Sequence, residues 1–127
     1  MLEAVHRMRS SEDFRATVRG GVKVAQPTLV THVLPPSADH APASTSVGFV
    51  VSKAVGSAVD RNRVKRRLRH LMRDRLDRVP AGSRVVVRAL PSAAAAASST
   101  LGEQLDSALW KAGGGAGPRA ADVRGAR

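Results

Sequence analysis

The stretch from Arg61 to Arg78 combines a high positive charge with a helical repeat of apolar residues. Nine of its eighteen residues are Lys or Arg and two are acidic, so it carries +7 of the chain's net charge of +11. Its apolar residues recur at the spacing of one helix face packed on a core. These residues are Val64, Leu68, Leu71, Met72 and Leu76, and Val79, just after the stretch, continues the same spacing.

A second stripe of the same helix is polar and basic. It contains Asn62, Arg66, Arg69 and Arg73, which follow one another at steps of four, three and four residues. Lys65 lies between this stripe and the apolar one. The stripe is about 16 Å long at 1.5 Å per residue, long enough to follow several phosphates of a nucleic acid. Because the charge is sorted to one side, the pattern predicts a docking surface for a polyanion.

Size and composition limit the class of protein. The chain has 127 residues, the size of one domain, and no cysteine, which excludes disulfides and thiolate metal sites. The start of the sequence lacks the apolar core of a signal peptide, and no apolar run approaches the roughly 18 residues of a membrane span. We expect a cytoplasmic protein with one domain over residues 1–112 and a disordered Gly/Ala/Arg tail over 113–127.

Local signals predict an α-β-β-β-α-β-α order, an α+β domain with a small sheet. Ser10 or Ser11 can cap the first helix, Ser57 and Asp60 have the spacing of a capping box, and Thr100 and Glu103 repeat that spacing. The second long strand is expected to run antiparallel to the first, and residues 93–97 are linker or helix. The predicted helices are 12–19, the basic helix, and about 100–112; the predicted strands are 22–25, 28–34, 45–52 and 84–90.

The segment from Ser52 to Arg69 resembles the signature of the protein subunit of bacterial ribonuclease P. That family carries Arg-Asn-Arg continuing as x-Lys-Arg-x-x-Arg, which here is Arg61-Asn62-Arg63-Val64-Lys65-Arg66-Arg67-Leu68-Arg69. The resemblance is weaker elsewhere and covers about residues 5–112.

The resemblance implies a fold and a function. The fold is similar to that of some ribosomal proteins, with the basic helix in a left-handed crossover between parallel strands. The function is to bind the catalytic RNA subunit and the 5′ leader of precursor tRNA, so that the leader is removed by endonucleolytic cleavage. The chemistry would belong to Mg²⁺ held by the RNA, with no catalytic residue in this chain, and the protein would be a monomer in a 1:1 complex with RNA.

The resemblance also assigns two sets of residues. The set that faces the catalytic RNA is Arg61, Asn62, Arg63, Lys65, Arg66, Arg69 and Arg73. The set in a leader-binding cleft between the first helix and the sheet is Phe14, Val18, His32, Ser52 and Lys53. The family usually has a lysine at Ala54 and often an asparagine at Ser57, and it has aromatic residues at Val18 and His32. Leader contacts are therefore expected to depend on Arg, Lys53 and His32.

Simpler interpretations stand beside these assignments. A position on the solvated surface is at least as good an explanation for Arg63, Arg67, Arg75 and Arg78. Packing on the sheet is the simpler explanation for Phe14. Phe49 and Trp110 are expected in the core. Asp74 and Asp77 are explained by ion pairing within a basic helix.

Other classes of function fit less well. A ribosomal or ribosome-associated RNA-binding protein without a catalytic role is the main alternative, and a helix lying on a membrane surface is the third. The ten acidic residues form no cluster suited to a two-metal nuclease, and the four histidines lack the spacing of metal ligands.

Overall fold

A computed structural model describes residues 6–40, 42 and 44–113. The helices are α1 (Ser11–Gly20), α2 (Ala58–Arg73) and α3 (Ser98–Ala112), and the strands are β1 (Val22–Ala25), β2 (Leu29–Leu34), β3 (Ser46–Val50) and β4 (Arg84–Ala89). Short 3₁₀ turns occupy Lys53–Val55, Leu76–Arg78 and Pro91–Ala94. The predicted element order is confirmed, and residues 93–97 contain the end of a 3₁₀ turn rather than an α-helix. The predicted disordered tail lies, from residue 114 onward, outside the described residues.

The four strands form one sheet in the order β1-β2-β4-β3. β2 is antiparallel to both β1 and β4, whereas β3 and β4 are parallel and are joined through α2. β3 therefore runs opposite to β2, as expected, but β4 lies between them. The crossover between parallel strands agrees with the family resemblance; its left-handed sense stays a prediction.

One face of the sheet is covered by α2 and α3 and forms the main core. Val33, Val85 and Val47 are in register across β2, β4 and β3, and all three are at most 1% exposed. Val64, Leu68 and Met72 of α2 pack on the same core. From α3 it receives Leu101, Leu105, Leu109 and Ala112. The apolar stripe of the basic helix thus has the partner that its spacing predicts.

The helices α1 and α2 begin where the sequence indicates. The Ser10 hydroxyl accepts hydrogen bonds from the backbone N–H groups of Glu12 and Asp13, so Ser10 is the cap of α1. Ser57 and Asp60 form the predicted capping box of α2. Gly56, just before it, has a φ of 152°, a value that L residues rarely adopt, and a Cβ there would lie 2.7 Å from an Asp60 carboxylate oxygen.

The ends of α2 and α3 differ from the sequence expectation. α2 ends at Arg73, so Leu76 lies in a 3₁₀ turn, and Val79 follows that turn as a buried residue outside any helix. α3 begins at Ser98 after Ala97, which has no side-chain cap, so the predicted capping box at Thr100 is wrong. Thr100 lies inside the first turn because the helix starts two residues earlier. Trp110, expected in the core, is 53% exposed.

Candidate nucleic-acid interface

The basic stripe of α2 lies on the side of the helix away from its buried residues. Asn62 and Arg66 are exposed, while Arg61, Lys65 and Arg69 are half-buried. Among the described residues, no carboxylate lies within ion-pair distance of the four cations in this group. The Nε atom of Arg61 is also buried without a hydrogen-bond partner in the described part of the chain. Lys65, Arg66 and Arg69 are therefore available to an external anion, whereas the Nε atom of Arg61 is shielded from solvent.

Two further members of the predicted RNA set have weak partners. Arg63 lies 3.9 Å from a carboxylate oxygen of Asp60, and Arg73 lies 3.6 Å from one of Asp74. Both pairs are well exposed, and exposed ion pairs contribute about 0–1 kcal/mol. A phosphate can therefore replace either carboxylate with little loss of stability. The expected ion pairing of Asp74 is confirmed.

Three other arginines of the basic segment make contacts within the protein. Arg75 Nε and Arg78 Nη1 donate to the same Asp106 carboxylate oxygen at 2.7 and 2.6 Å. Arg67 donates to the Ala96 carbonyl at 3.3 Å. These arginines attach the end of the basic segment and the turn before α3 to the rest of the domain. The solvated-surface interpretation is wrong for them, since their contacts are structural.

The second candidate surface lies between α1 and the other face of the sheet. Phe14 rests the tip of its ring on Gly48 of β3, so closely that a Cβ at Gly48 would lie 2.3 Å from the Phe14 Cζ atom. Asp13 accepts a hydrogen bond from Arg84 of β4 at 3.2 Å and holds the helix on the sheet. Phe14 is only partly buried. It therefore packs on the sheet and also presents part of its ring to solvent.

His32 lies on the same sheet face as Gly48. The register places Lys23, His32, Val86 and Gly48 in one row across the four strands. Burial lowers the pKa of His32 below its usual 6.5, and the positive charges of Lys23 and Arg88 lower it further. The His32 Nδ1 atom is buried without a hydrogen-bond partner among the described residues. His32 is therefore a neutral, largely buried ring near pH 7, and the positive charge of this face comes from Lys23 and Arg88.

The other predicted leader residues border this face. Val18 lies one helical turn after Phe14 and is 47% exposed. Ser52 and Lys53 are exposed just past the end of β3, in the turn that leads to α2. The structure thus brings Phe14, Val18 and His32 to one side of the sheet, and Ser52 and Lys53 follow the end of β3 in the segment of chain that leads to the basic helix.

Sequence reasoning missed three features of this face. The first is the position of Lys23 and Arg88. In their strands both residues alternate with residues that point to the opposite face, and this alternation could have placed them here. The role of Gly48 was also missed, and its signal was a glycine in the interior of a strand, which often marks a close approach. The Asp13–Arg84 pair joins residues that are 71 positions apart, and no local pattern indicates it.

A cavity of about 400 Å³ lies where the α1 face meets the basic helix. Phe14 and Gly48 form part of its wall, and Lys65 and Arg69 of α2 form another part. The N-terminal segment closes a third side, since the Met8 N–H donates to the Val47 carbonyl at 2.9 Å beside β3. The two candidate surfaces are therefore continuous.

No group of three or more His, Asp or Glu side chains among the described residues is placed to hold a metal ion.

None of the helices in the described ranges has the length and apolarity to cross a membrane.

A small α+β domain with a basic helix face, on which Lys65, Arg66 and Arg69 have no ion-pair partner among the described residues, belongs to the class of domains suited to bind a polyanion. A family model described as Ribonuclease P matches residues 2–113. The chain belongs to the ribonuclease P protein family, whose members are the protein component of the ribonuclease P complex that cleaves tRNA precursors.

Individual relatives agree with this assignment. The chain is 53% identical over 122 residues to the ribonuclease P protein component of Streptomyces avermitilis, covering 91% of this chain and 99% of that one. It is 48% identical to the corresponding protein of Salinispora tropica, covering 86% and 91%. A solved ribonuclease P protein of Staphylococcus aureus superposes with a TM-score of 0.69 at 26% identity, covering 88% of this chain and 92% of that one. The one from Thermotoga maritima, 23% identical, shares the fold with a TM-score of 0.65, covering 78% and 90%.

Proposed function

We propose that the basic face of α2 is the docking surface for the catalytic RNA subunit. The observation that carries this proposal is a division among the basic residues of this segment. Arg67, Arg75 and Arg78 have partners inside the protein, whereas Lys65, Arg66 and Arg69 have no ion-pair partner among the described residues. Phosphates are the natural ligands for such unpaired cations, because neutralising them releases counterions. The contact set is Arg61, Asn62, Arg63, Lys65, Arg66, Arg69 and Arg73.

The face formed by α1 and the sheet is proposed to bind the single-stranded 5′ leader of precursor tRNA. Phe14 offers a ring for stacking, and base stacking on an aromatic side chain contributes about 1–3 kcal/mol per base. Val18, His32, Ser52 and Lys53 border the same path, and Lys23 and Arg88 add positive charge. Holding the leader here increases substrate affinity while leaving the cleaved bond to another component.

The cleavage itself is assigned to Mg²⁺ held by the RNA, since the described residues form no carboxylate cluster suited to a metal. The protein would act in the cytoplasm, as a monomer in a 1:1 complex with the RNA. Its contribution is to reduce the repulsion between the catalytic RNA and the precursor tRNA, both of which are polyanions, and to position the leader.

Reconstitution tests this assignment. Purified protein, cognate catalytic RNA and precursor tRNA are combined at a low Mg²⁺ concentration, and each component is omitted in turn. We expect 5′ cleavage only with all three components. Cleavage by the protein alone would contradict the assignment of chemistry to the RNA, and no gain on adding the protein would contradict its role as a subunit. A ribosome-associated protein without this role would give the second result.

A further inference from the structure

We infer that residues 1–5 of this chain dock, through the side chains of Leu2 and Val5, in an apolar groove at the end of the sheet where β3 and β4 begin. The groove shares no lining residue with the cavity beside Phe14, and it lies outside both surfaces proposed to bind RNA. The inference therefore goes beyond the proposed function.

The groove is a largely apolar surface between the 3₁₀ turn after α2 and the start of β3. Its volume is about 430 Å³. Of its apolar lining residues, Val79 is buried, Leu76 is half-buried, and Pro80 and Ala81 are exposed. Covering such a surface with apolar side chains is favourable, because it removes apolar area from water.

Hydrogen bonds and an ion pair hold the walls of the groove in place. The Ser83 hydroxyl donates to the Pro80 carbonyl at 2.6 Å, and the Gly82 N–H donates to the Thr45 hydroxyl at 3.1 Å. Arg78 holds the 3₁₀ turn through its ion pair with α3. The groove is therefore preformed, and little entropy is lost in ordering it when a segment binds.

The chain enters the groove at His6. His6 lines it, and the His6 Nδ1 atom donates a hydrogen bond to the Thr45 carbonyl at 2.7 Å. The next residues are fixed along the edge of the sheet, since Arg7 pairs with Val47 in a parallel bridge and the Met8 N–H donates to the Val47 carbonyl at 2.9 Å. Residue 5 must therefore lie next to the groove.

Leu2 and Val5 are suited to fill the groove. His6 has the 3₁₀ conformation, in which residues three apart lie on the same side of the backbone, as Leu2 and Val5 would. Leu2 is four positions from His6, at most about 14 Å of extended chain, so it can reach the groove. Ala43, next to the lining residue Ser44, also lies outside the described ranges, but its single methyl group fills much less space.

Docking of residues 1–5 has a consequence for the basic helix. Arg7 and Arg9 line the cavity beside Phe14 together with Lys65 and Arg69 of α2. A segment anchored on both sides of His6 keeps Arg7 and Arg9 next to α2. Leu2 is thus a positioning residue for two cations, and this consequence alone rests on the proposed docking of the catalytic RNA.

Nuclear magnetic resonance of the full chain, with ¹³C in the methyl groups of leucine and valine, tests the docking directly. We expect nuclear Overhauser effects between the Leu2 methyl groups and those of Leu76 or Val79. Their absence would overturn the inference, and so would effects that join these groove residues to another segment instead. Effects seen only between labelled and unlabelled chains in a mixed sample would also overturn it, because the occupant would then be a second copy.

Variants measure the strength of the anchor. We expect Leu2→Ser to lower the melting temperature by about 5 °C, since it removes one buried leucine side chain. Hydrogen exchange of the Met8 N–H should become about tenfold faster, because the adjoining segment is released. Leu2→Met should restore both values, and Glu3→Ser, the matched control, should change neither. Equal effects of Leu2→Ser and Glu3→Ser, or no effect of Leu2→Ser, would overturn the anchor.

Binding to the catalytic RNA separates the anchor from the proposed function. We expect Leu2→Ser to reduce the salt dependence of binding, because Arg7 and Arg9 no longer stay next to α2, whereas lower stability alone leaves the salt slope unchanged. An unchanged slope would overturn the positioning role of Leu2. Failure of the wild-type protein to bind the RNA would overturn the proposed function and leave the anchor standing, since the resonance measurements are made without RNA.

Discussion

Removing Arg66 and Arg69 together should weaken binding of the catalytic RNA and reduce its dependence on salt. Both side chains belong to the basic stripe, and neither has an ion-pair partner among the described residues. The double variant Arg66→Ala, Arg69→Ala therefore removes two proposed phosphate contacts without breaking an ion pair among the described residues. Alanine also has a high helix propensity, so α2 should remain folded.

The structure gives the size of the effect. If the six cations of the contact set each neutralise one phosphate, affinity should fall about 10³-fold between 50 and 200 mM salt. With four cations left, the same change in salt should lower affinity only about 150-fold. This value follows because the slope of log affinity against log salt concentration is about −0.9 for each phosphate contact. The affinity of the double variant at 50 mM salt should itself be lower than that of the wild-type protein.

Filter binding at several salt concentrations measures both slopes, and circular dichroism checks the fold. The matched comparison is Arg75→Ala, Arg78→Ala, which removes the same charge from residues that bind Asp106. We expect that variant to lose thermal stability and to keep a slope near the wild-type value. The reasoning would be refuted if the Arg66, Arg69 variant unfolded, or if it kept the wild-type salt slope.

Three further predictions concern the core, the cleft and pH. Leu68→Ala should lower the free energy of unfolding, measured by urea titration, by about 2–5 kcal/mol, because Leu68 is fully buried. A loss below that range would mean that the core collapses around the smaller side chain. Gly48→Ala should force the Phe14 ring off the sheet and weaken leader binding while catalytic-RNA binding is kept; unchanged leader affinity would remove Phe14 from the site. His32 has a pKa below 6.5 in the folded protein, so below pH 6.5 the unfolded chain takes up a proton that the folded chain does not, and stability falls as the pH is lowered. His32→Gln should therefore show a smaller loss of unfolding free energy between pH 7.5 and 5.5 than the wild-type protein, and equal losses would contradict the burial of a neutral ring.

Much of the basic helix could be predicted from local sequence. The capping box at Ser57 and the apolar spacing of Val64, Leu68 and Met72 depend on residues within a few turns of one another, and the structure has both. The end of the helix was less predictable, because the apolar period continues through Leu76 after the helix has given way to a 3₁₀ turn.

Features that depend on distant partners were not predictable. β4 inserts between β2 and β3, and no local signal in either strand indicates this neighbour. Likewise, Arg66 and Arg75 look alike in the sequence, and only the position of Asp106, on another helix, separates an available cation from a paired one. The contact of Phe14 with Gly48 was also unpredictable from local sequence, since the two residues are 34 positions apart.

The most direct test of the central claim is a photo-cross-link from the basic face to the catalytic RNA. A benzophenone side chain is placed at Asn62, exposed on α2, and in a second protein at Glu103, exposed on α3, where removal of an acidic residue can only favour contact with RNA. We predict that position 62 cross-links to the catalytic RNA in the absence of precursor tRNA and that position 103 does not. Equal cross-linking from both positions, or cross-linking from position 103 alone, would contradict the claim that the face of α2 is the docking surface.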